Sequence, residues 1–128
     1  MLGSLPGCTF KKSQRLLNAS DFKGVFDHNT VKVANASLLI LAKPAEGRQS
    51  RLGLIIAKKN IPTAVQRNRL KRVVRETFRQ QEFDVPMDIV FLARTGANRQ
   101  TAKQLTPLLN RAWIKFIGRS KPMRNKRA

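Results

Sequence analysis

Acidic residues are scarce in this chain. Only 7 of 128 residues are Asp or Glu, against 26 Lys or Arg, which leaves a formal net charge of +19 and a pI near 11.8. A two-metal nuclease centre needs clustered carboxylates. The acids Asp21, Asp27, Glu46, Glu76, Glu82, Asp84 and Asp88 are scattered, and only the last three lie close in sequence. Histidine is down to His28, which reads as a surface or capping residue and makes no acid–base pair. The single cysteine, Cys8, excludes an internal disulfide framework and a cysteine zinc site. No run of about 18 uncharged apolar residues exists, so no membrane span is expected. The opening Met1-Leu2-Gly3-Ser4-Leu5-Pro6-Gly7 is too short and too broken for a signal peptide, and the expectation is a cytoplasmic protein. The polypeptide alone is expected to have no active site and no metal site.

What the chain has is cationic charge, unevenly placed. A surplus of this size on so small a body is costly through self-repulsion, and nucleic acid is the commonest partner that neutralises it. Residues 58–79 hold eight Lys/Arg against one acid, Glu76, and residues 111–128 hold seven against none. Charge alone does not separate DNA, RNA or an anionic membrane, and the expected organisation is a loose N-terminus over 1–11, one domain over 12–118 and a disordered basic tail over 119–128.

Between the ends the elements alternate. Ser20 or Asp21 can cap a short helix over Phe22–His28. Lys32–Lys43, with Leu38-Leu39-Ile40-Leu41-Ala42, reads as one strand. Arg51–Ala57 reads as a second, joined to the first as a hairpin across Pro44-Ala45-Glu46-Gly47. Ala64–Gln80 reads as a long helix, Asp88–Ala93 as a third strand and Thr101–Gly118 as a final helix. That helix carries Leu105, Leu108, Leu109, Ala112, Trp113 and Phe116 on one stripe, with Trp113 and Phe116 read as core. The order αββαβα predicts an α+β fold, an α/β two-layer sandwich with a small mixed sheet packed by helices.

The central helix is the most informative segment. At about 100° per residue, and with Arg67 at zero, Lys71 falls at about 40°, Arg75 at about 80°, Asn68 at about 100°, Arg79 at about 120° and Arg72 at about 140°. Leu70, Val73, Val74 and Thr77 fall between about 240° and about 340°. One face is apolar, and the other is a ladder of cations around one amide. Arg69 lies at the border and is expected to turn back to the preceding loop. Solvated faces interleave both signs; Arg67, Lys71, Arg75 and Arg79 instead place like charges at successive i,i+4 positions, which destabilises the isolated helix. A face of guanidinium and ammonium groups suits phosphate. Lys58 and Lys59, at the end of a strand and before the helix start, extend it. Two other readings remain open from the residues: a structural RNA binder such as a small ribosomal protein, which composition cannot separate, and a DNA-binding protein, which would want a helix-turn-helix or a dimer interface that the chain does not display.

The string Ala57-Lys58-Lys59 followed by Ala64-Val65-Gln66-Arg67-Asn68-Arg69-Leu70-Lys71-Arg72-Val73-Val74-Arg75-Glu76 resembles the signature of the bacterial ribonuclease P protein component. That family is marked by Arg-Asn-Arg followed by x-Lys-Arg-x-x-Arg. Asp21-Phe22-Lys23-Gly24-Val25-Phe26 is similar to its N-terminal helix, and Arg51-Leu52-Gly53-Leu54 stands at the expected place before the lysine pair. The resemblance covers about residues 12–118. It implies a protein subunit that partners a large catalytic RNA, binds precursor tRNA and needs no further protein partner and no membrane. The holoenzyme it implies removes the 5′ leader by Mg²⁺-dependent hydrolysis carried out by the RNA. It also implies a left-handed βαβ crossover, against the usual hand.

By the same resemblance Arg67, Asn68, Arg69, Lys71, Arg72 and Arg75 form the RNA-facing motif, with Lys58 and Lys59 beside it; the helical ladder adds Arg79 to the RNA-binding candidates. The leader lies in a cleft between the first helix and the sheet, walled by Phe22 and Phe26, where a base can stack. Two Phe at i,i+4 on a short helix also suit a core, and both readings stand. Some relatives place an aromatic on the first strand; Leu38–Leu41 supplies none, which thins any stacking platform. Asn35 and Arg51 match family positions without an assigned role.

Overall fold

The apolar run Leu38–Ala42 forms the middle of a four-stranded sheet in the computed structural model, which describes residues 18–47, 49–83 and 85–120. The strands are β1 (Val31–Ala34), β2 (Leu38–Pro44), β3 (Arg51–Ile55) and β4 (Met87–Ala93). The helices are α1 (Ala19–His28), α2 (Ala64–Arg79) and α3 (Ala102–Ser120), with a short 3-10 helix over Thr95–Arg99. The α+β class and the mixed sheet agree with the expectation. The element order gains a strand, because the segment read as one strand over Lys32–Lys43 is two. Asn35 breaks it: its Oδ1 accepts from the backbone N–H of Ser37 at 2.7 Å and of Leu38 at 3.0 Å, an Asx turn that folds β1 antiparallel onto β2.

The expected hairpin between β2 and β3 does not form. The sheet order is β1-β2-β4-β3, with β4 antiparallel to β2 and parallel to β3. The reason lies in Met87–Ala93, whose residues are buried on both faces apart from Leu92. A strand buried on both faces belongs inside a sheet covered on both sides. The unit β3–α2–β4 is the parallel crossover to which the expected hand refers.

Pleating sends alternate residues to opposite faces. Val33, Leu38, Ile40, Leu52, Ile89 and Phe91 pack under α2 and α3 in the main core. Trp113, Phe78, Phe83 and Phe116 meet there largely edge to face, with centroids 5.3–6.2 Å apart. Trp113 Nε1 donates to Thr77 Oγ1 at 2.9 Å, and that hydroxyl donates onward to the Val73 and Val74 carbonyls, so this buried polar pair between α2 and α3 is satisfied. On the other face α1 lies across β2 and β4, closing a smaller cluster of Val25, Leu41 and Val90.

The helix ends follow local chemistry. α1 starts at Ala19 rather than Phe22, and its cap is Asn18, whose Oδ1 accepts from Asp21 N, rather than Ser20 or Asp21. Thr63 caps α2. Thr101 and Gln104 form a reciprocal capping box at the start of α3. α3 runs to Ser120, so Arg119 and Ser120 belong to the helix and not to the tail; residues 1–17 and 121–128 lie outside the described residues. Gly96 sits where a Cβ would collide with the Ala36 carbonyl, whose oxygen accepts from Gly96 N. No helix among the described residues is long and apolar enough to cross a membrane.

Candidate nucleic-acid interface

The basic helix is held from its first turn. Asn60 Nδ2 donates to the Ala93 carbonyl at 3.0 Å, tying the turn that carries Lys58 and Lys59 to the end of β4. Ile61 is buried beside it. Leu70, Val73, Val74, Thr77 and Phe78 then bury one side of α2. The opposite side is the expected one: Asn68, Lys71, Arg72, Arg75, Glu76 and Arg79 line a single shallow depression. The side chains of Asn68, Lys71, Arg72 and Arg79 make no hydrogen bond or ion pair among the described residues, and Lys58 and Lys59 are exposed. Cations held on a rigid element without acid partners are available to an outside anion.

Two arginines depart from the expectation. It is Arg67, not Arg69, that turns back to the loop: its Nη1 donates to the carbonyls of Ile61 at 3.0 Å and Pro62 at 2.8 Å. Those carbonyls precede the helix and have no partner within it, so the guanidinium fills a local need and keeps its other donors for a ligand. Arg69 stays on the helix and donates to Gln66 Oε1 at 3.2 Å.

The sheet face under α1 divides in two. One half is polar and paired. Arg51 forks onto Asp88 with Nε–Oδ1 and Nη2–Oδ2 both at 2.9 Å, Lys43 Nζ lies 3.7 Å from the same carboxylate, and Arg51 Nη2 lies 3.6 Å from Asp21 of α1. The Asp88 side chain is only 4% exposed. Its bidentate bond is the main cause raising the Arg51 pKa above its ordinary value. This gives Arg51 a role: it joins α1, β3 and β4. Nothing local in the sequence marked the pair, since 37 residues separate its members.

The other half of this face is apolar and open. Leu39, Leu92 and Ile55 are register neighbours and only half-buried, and the Lys58–Lys59 turn follows directly from β3. The two candidate aromatics separate here. Phe22 packs against the Val25–Leu41–Val90 cluster, whereas Phe26 is 41% exposed. Among the described residues no three His, Cys, Asp or Glu side chains gather as a metal site requires, and Asp21 and Asp88 are already held by Arg51.

The profile of the family described as Ribonuclease P matches residues 10–117. The ribonuclease P protein component of Marinobacter nauticus is 48% identical over 106 residues, which is 82% of this chain and 80% of that one. That of Saccharophagus degradans is 38% identical over 116 residues, 90% of this chain and 86% of that one. Among solved structures, the RNase P protein of Staphylococcus aureus superposes with a TM-score of 0.74 at 28% identity, covering 81% of this chain and 95% of that one. The RNase P protein of Thermotoga maritima gives 0.60 at 30% identity, covering 76% and 96%.

Proposed function

The chain belongs to the ribonuclease P protein family, the protein component of a ribonucleoprotein endoribonuclease of tRNA 5′ processing, and from that premise we propose how its surfaces divide the work. The protein is the non-catalytic subunit and associates with the ribonuclease P RNA. The face of α2, with Asn68, Lys71, Arg72, Arg75 and Arg79, docks on phosphates of that RNA, and Arg67, Arg69, Lys58 and Lys59 flank the contact. One observation carries this reading: a row of cations on a buried-backed helix with almost no acid among them. Phosphate binding repays the self-repulsion that such a row imposes on the free protein.

The precursor tRNA leader occupies the open half of the sheet face. Leu39, Leu92 and Ile55 give it an apolar floor, Lys58 and Lys59 meet its backbone, and Phe26 offers a ring to a base. Phe22 supports this wall from below. With no aromatic on β2, binding there leans on shape and charge. Mg²⁺ serves the RNA in the holoenzyme, and no residue of this chain takes part in that chemistry. The complex works in the cytoplasm.

Reconstitution tests the reading. The protein is mixed with a bacterial ribonuclease P RNA at low Mg²⁺ and given a precursor tRNA, beside protein-alone and RNA-alone controls. Efficient cleavage by the mixture only is the expected result. A mixture no better than RNA alone returns the protein to a structural RNA binder.

A further inference from the structure

A second basic surface lies on α3, away from the family motif. Arg111, Lys115 and Arg119 are exposed and follow one another at i,i+4, about 6 Å apart along the axis. α3 contains no acid. Arg111 and Lys115 line a groove against the edge strand β1, with Val33, Ala34, Leu108 and Ala112 as its apolar floor and Asn35 at its end. A third cation reaches the same place from another element: Arg94, after β4, donates through Nη1 to the Asn35 carbonyl at 3.1 Å. At the far end the Arg119 guanidinium bonds the Lys32 carbonyl, so it wraps the free edge of β1. Arg111 and Lys115 have no hydrogen bond or ion pair among the described residues.

This surface is separate from α2. On the α3 wheel Arg111 and Trp113 are about 200° apart, and Trp113 is the residue bonded to Thr77 of α2. The two cationic rows thus flank the two-helix layer on different sides. A row of like charges is mildly destabilising to the helix that carries it, and the chain has two. The pairs Lys23–Asp27, Lys43–Asp88, Arg51–Asp21 and Arg51–Asp88 lie on α1 or on the sheet face beneath it.

We propose that the groove between α3 and β1 is a second RNA-binding surface, which takes a phosphate-backbone segment of the ribonuclease P RNA distinct from the one docked on α2. Arg94, Arg111 and Lys115 meet the phosphates, and the apolar floor receives sugar edges. Arg119 holds the β1 edge in register beneath them. Two rows on different sides let one small protein grip two RNA segments and fix their separation. The proposal rests on the RNA-binding reading above.

The test uses the full chain and a bacterial ribonuclease P RNA. Three proteins are compared for affinity across a salt series and for hydroxyl-radical protection of the RNA: wild type, Arg111→Gln/Lys115→Gln, and Lys71→Gln/Arg72→Gln. The α3 variant is expected to bind on the order of tenfold more weakly, with a salt slope shallower by about 1.5. It should lose protection of one RNA segment while keeping the segment that the α2 variant loses. Arg111→Lys/Lys115→Arg should restore affinity and slope, since the charge is kept. Melting temperature should match wild type, because both residues are exposed. Wild-type affinity and protection in the α3 variant overturn this proposal while leaving the α2 reading intact. With precursor tRNA added to the same mixture, loss of protection on that tRNA instead of on the catalytic RNA also overturns it. If the wild-type chain itself fails to bind the RNA, both readings fall.

Discussion

The two faces of the sheet treat charge in opposite ways. Under α1, cations are matched: Arg51 and Lys43 converge on a buried Asp88, and Arg51 also reaches Asp21; on the outer side of α1, Lys23 pairs with Asp27 at 2.8 Å. On the helical side, Lys71, Arg72, Arg79, Arg111 and Lys115 have no such partner among the described residues. A buried ion pair acts inside the fold, where losing one member leaves an uncompensated charge. An exposed unmatched cation adds nothing to the fold and acts on a partner. With only seven acids to place, those that pair with cations mark where charge holds the protein together.

The sharpest way to break this contrast is Asp88→Ala. It strands Arg51 and Lys43 beside an empty buried position and should cost about 3 kcal/mol of stability, read by urea denaturation. A loss below about 0.5 kcal/mol would place Asp88 with the surface pairs. Next is Lys71→Gln/Arg72→Gln, which should weaken binding to the catalytic RNA by about 1–3 kcal/mol and leave the melting temperature unchanged or slightly raised. Unfolding of this variant under native conditions would show that α2 relies on those charges. Arg67→Ala is a poorer probe, because it also removes donors from the Ile61 and Pro62 carbonyls.

Phe26→Ala comes third. It should reduce affinity for precursor carrying a leader by about 1–2 kcal/mol and leave mature tRNA unaffected. An equal loss for both substrates would remove Phe26 from the leader wall. The smallest effect belongs to the exposed Lys23–Asp27 pair. The hydrogen bond from Lys23 holds the Asp27 carboxyl below its ordinary value. A carboxylate shifted down stabilises the fold above its unfolded pKa and loses that contribution as pH falls through the folded one. The difference in melting temperature between wild type and Asp27→Asn should therefore be small near neutrality and vanish below the ordinary carboxylate range. A difference that grows on acidification would contradict the assignment.

Much of the interface was legible because helical geometry is local. Residues three and four apart always share a side, so Asn68, Lys71, Arg72, Arg75 and Arg79 could be placed together from their spacing, and they line one depression with Glu76, while Arg67 of the expected ladder lies outside it. The stripe of α3 was legible for the same reason, down to the buried Trp113 and Phe116. Strand neighbours are not local. Asp88–Ala93 reads as a third strand added after a hairpin, yet the burial of Met87–Ala93 on both faces sends it between β2 and β3. The break at Asn35 was missed because a continuous β-forming pattern hid one Asx turn.

By itself, then, the sequence determined the sign of the surface, the two-sided character of α2, the α+β composition and the motif that marks the family. Each follows from composition or from a repeat fixed by backbone geometry. Only the tertiary structure decided which acid holds Arg51, that Arg67 turns back, that Phe22 is covered while Phe26 is open, and that Arg94 reaches Asn35 at the end of the groove lined by Arg111 and Lys115. Those outcomes depend on sheet register and helix docking, which join residues tens of positions apart and leave no periodic trace in the chain.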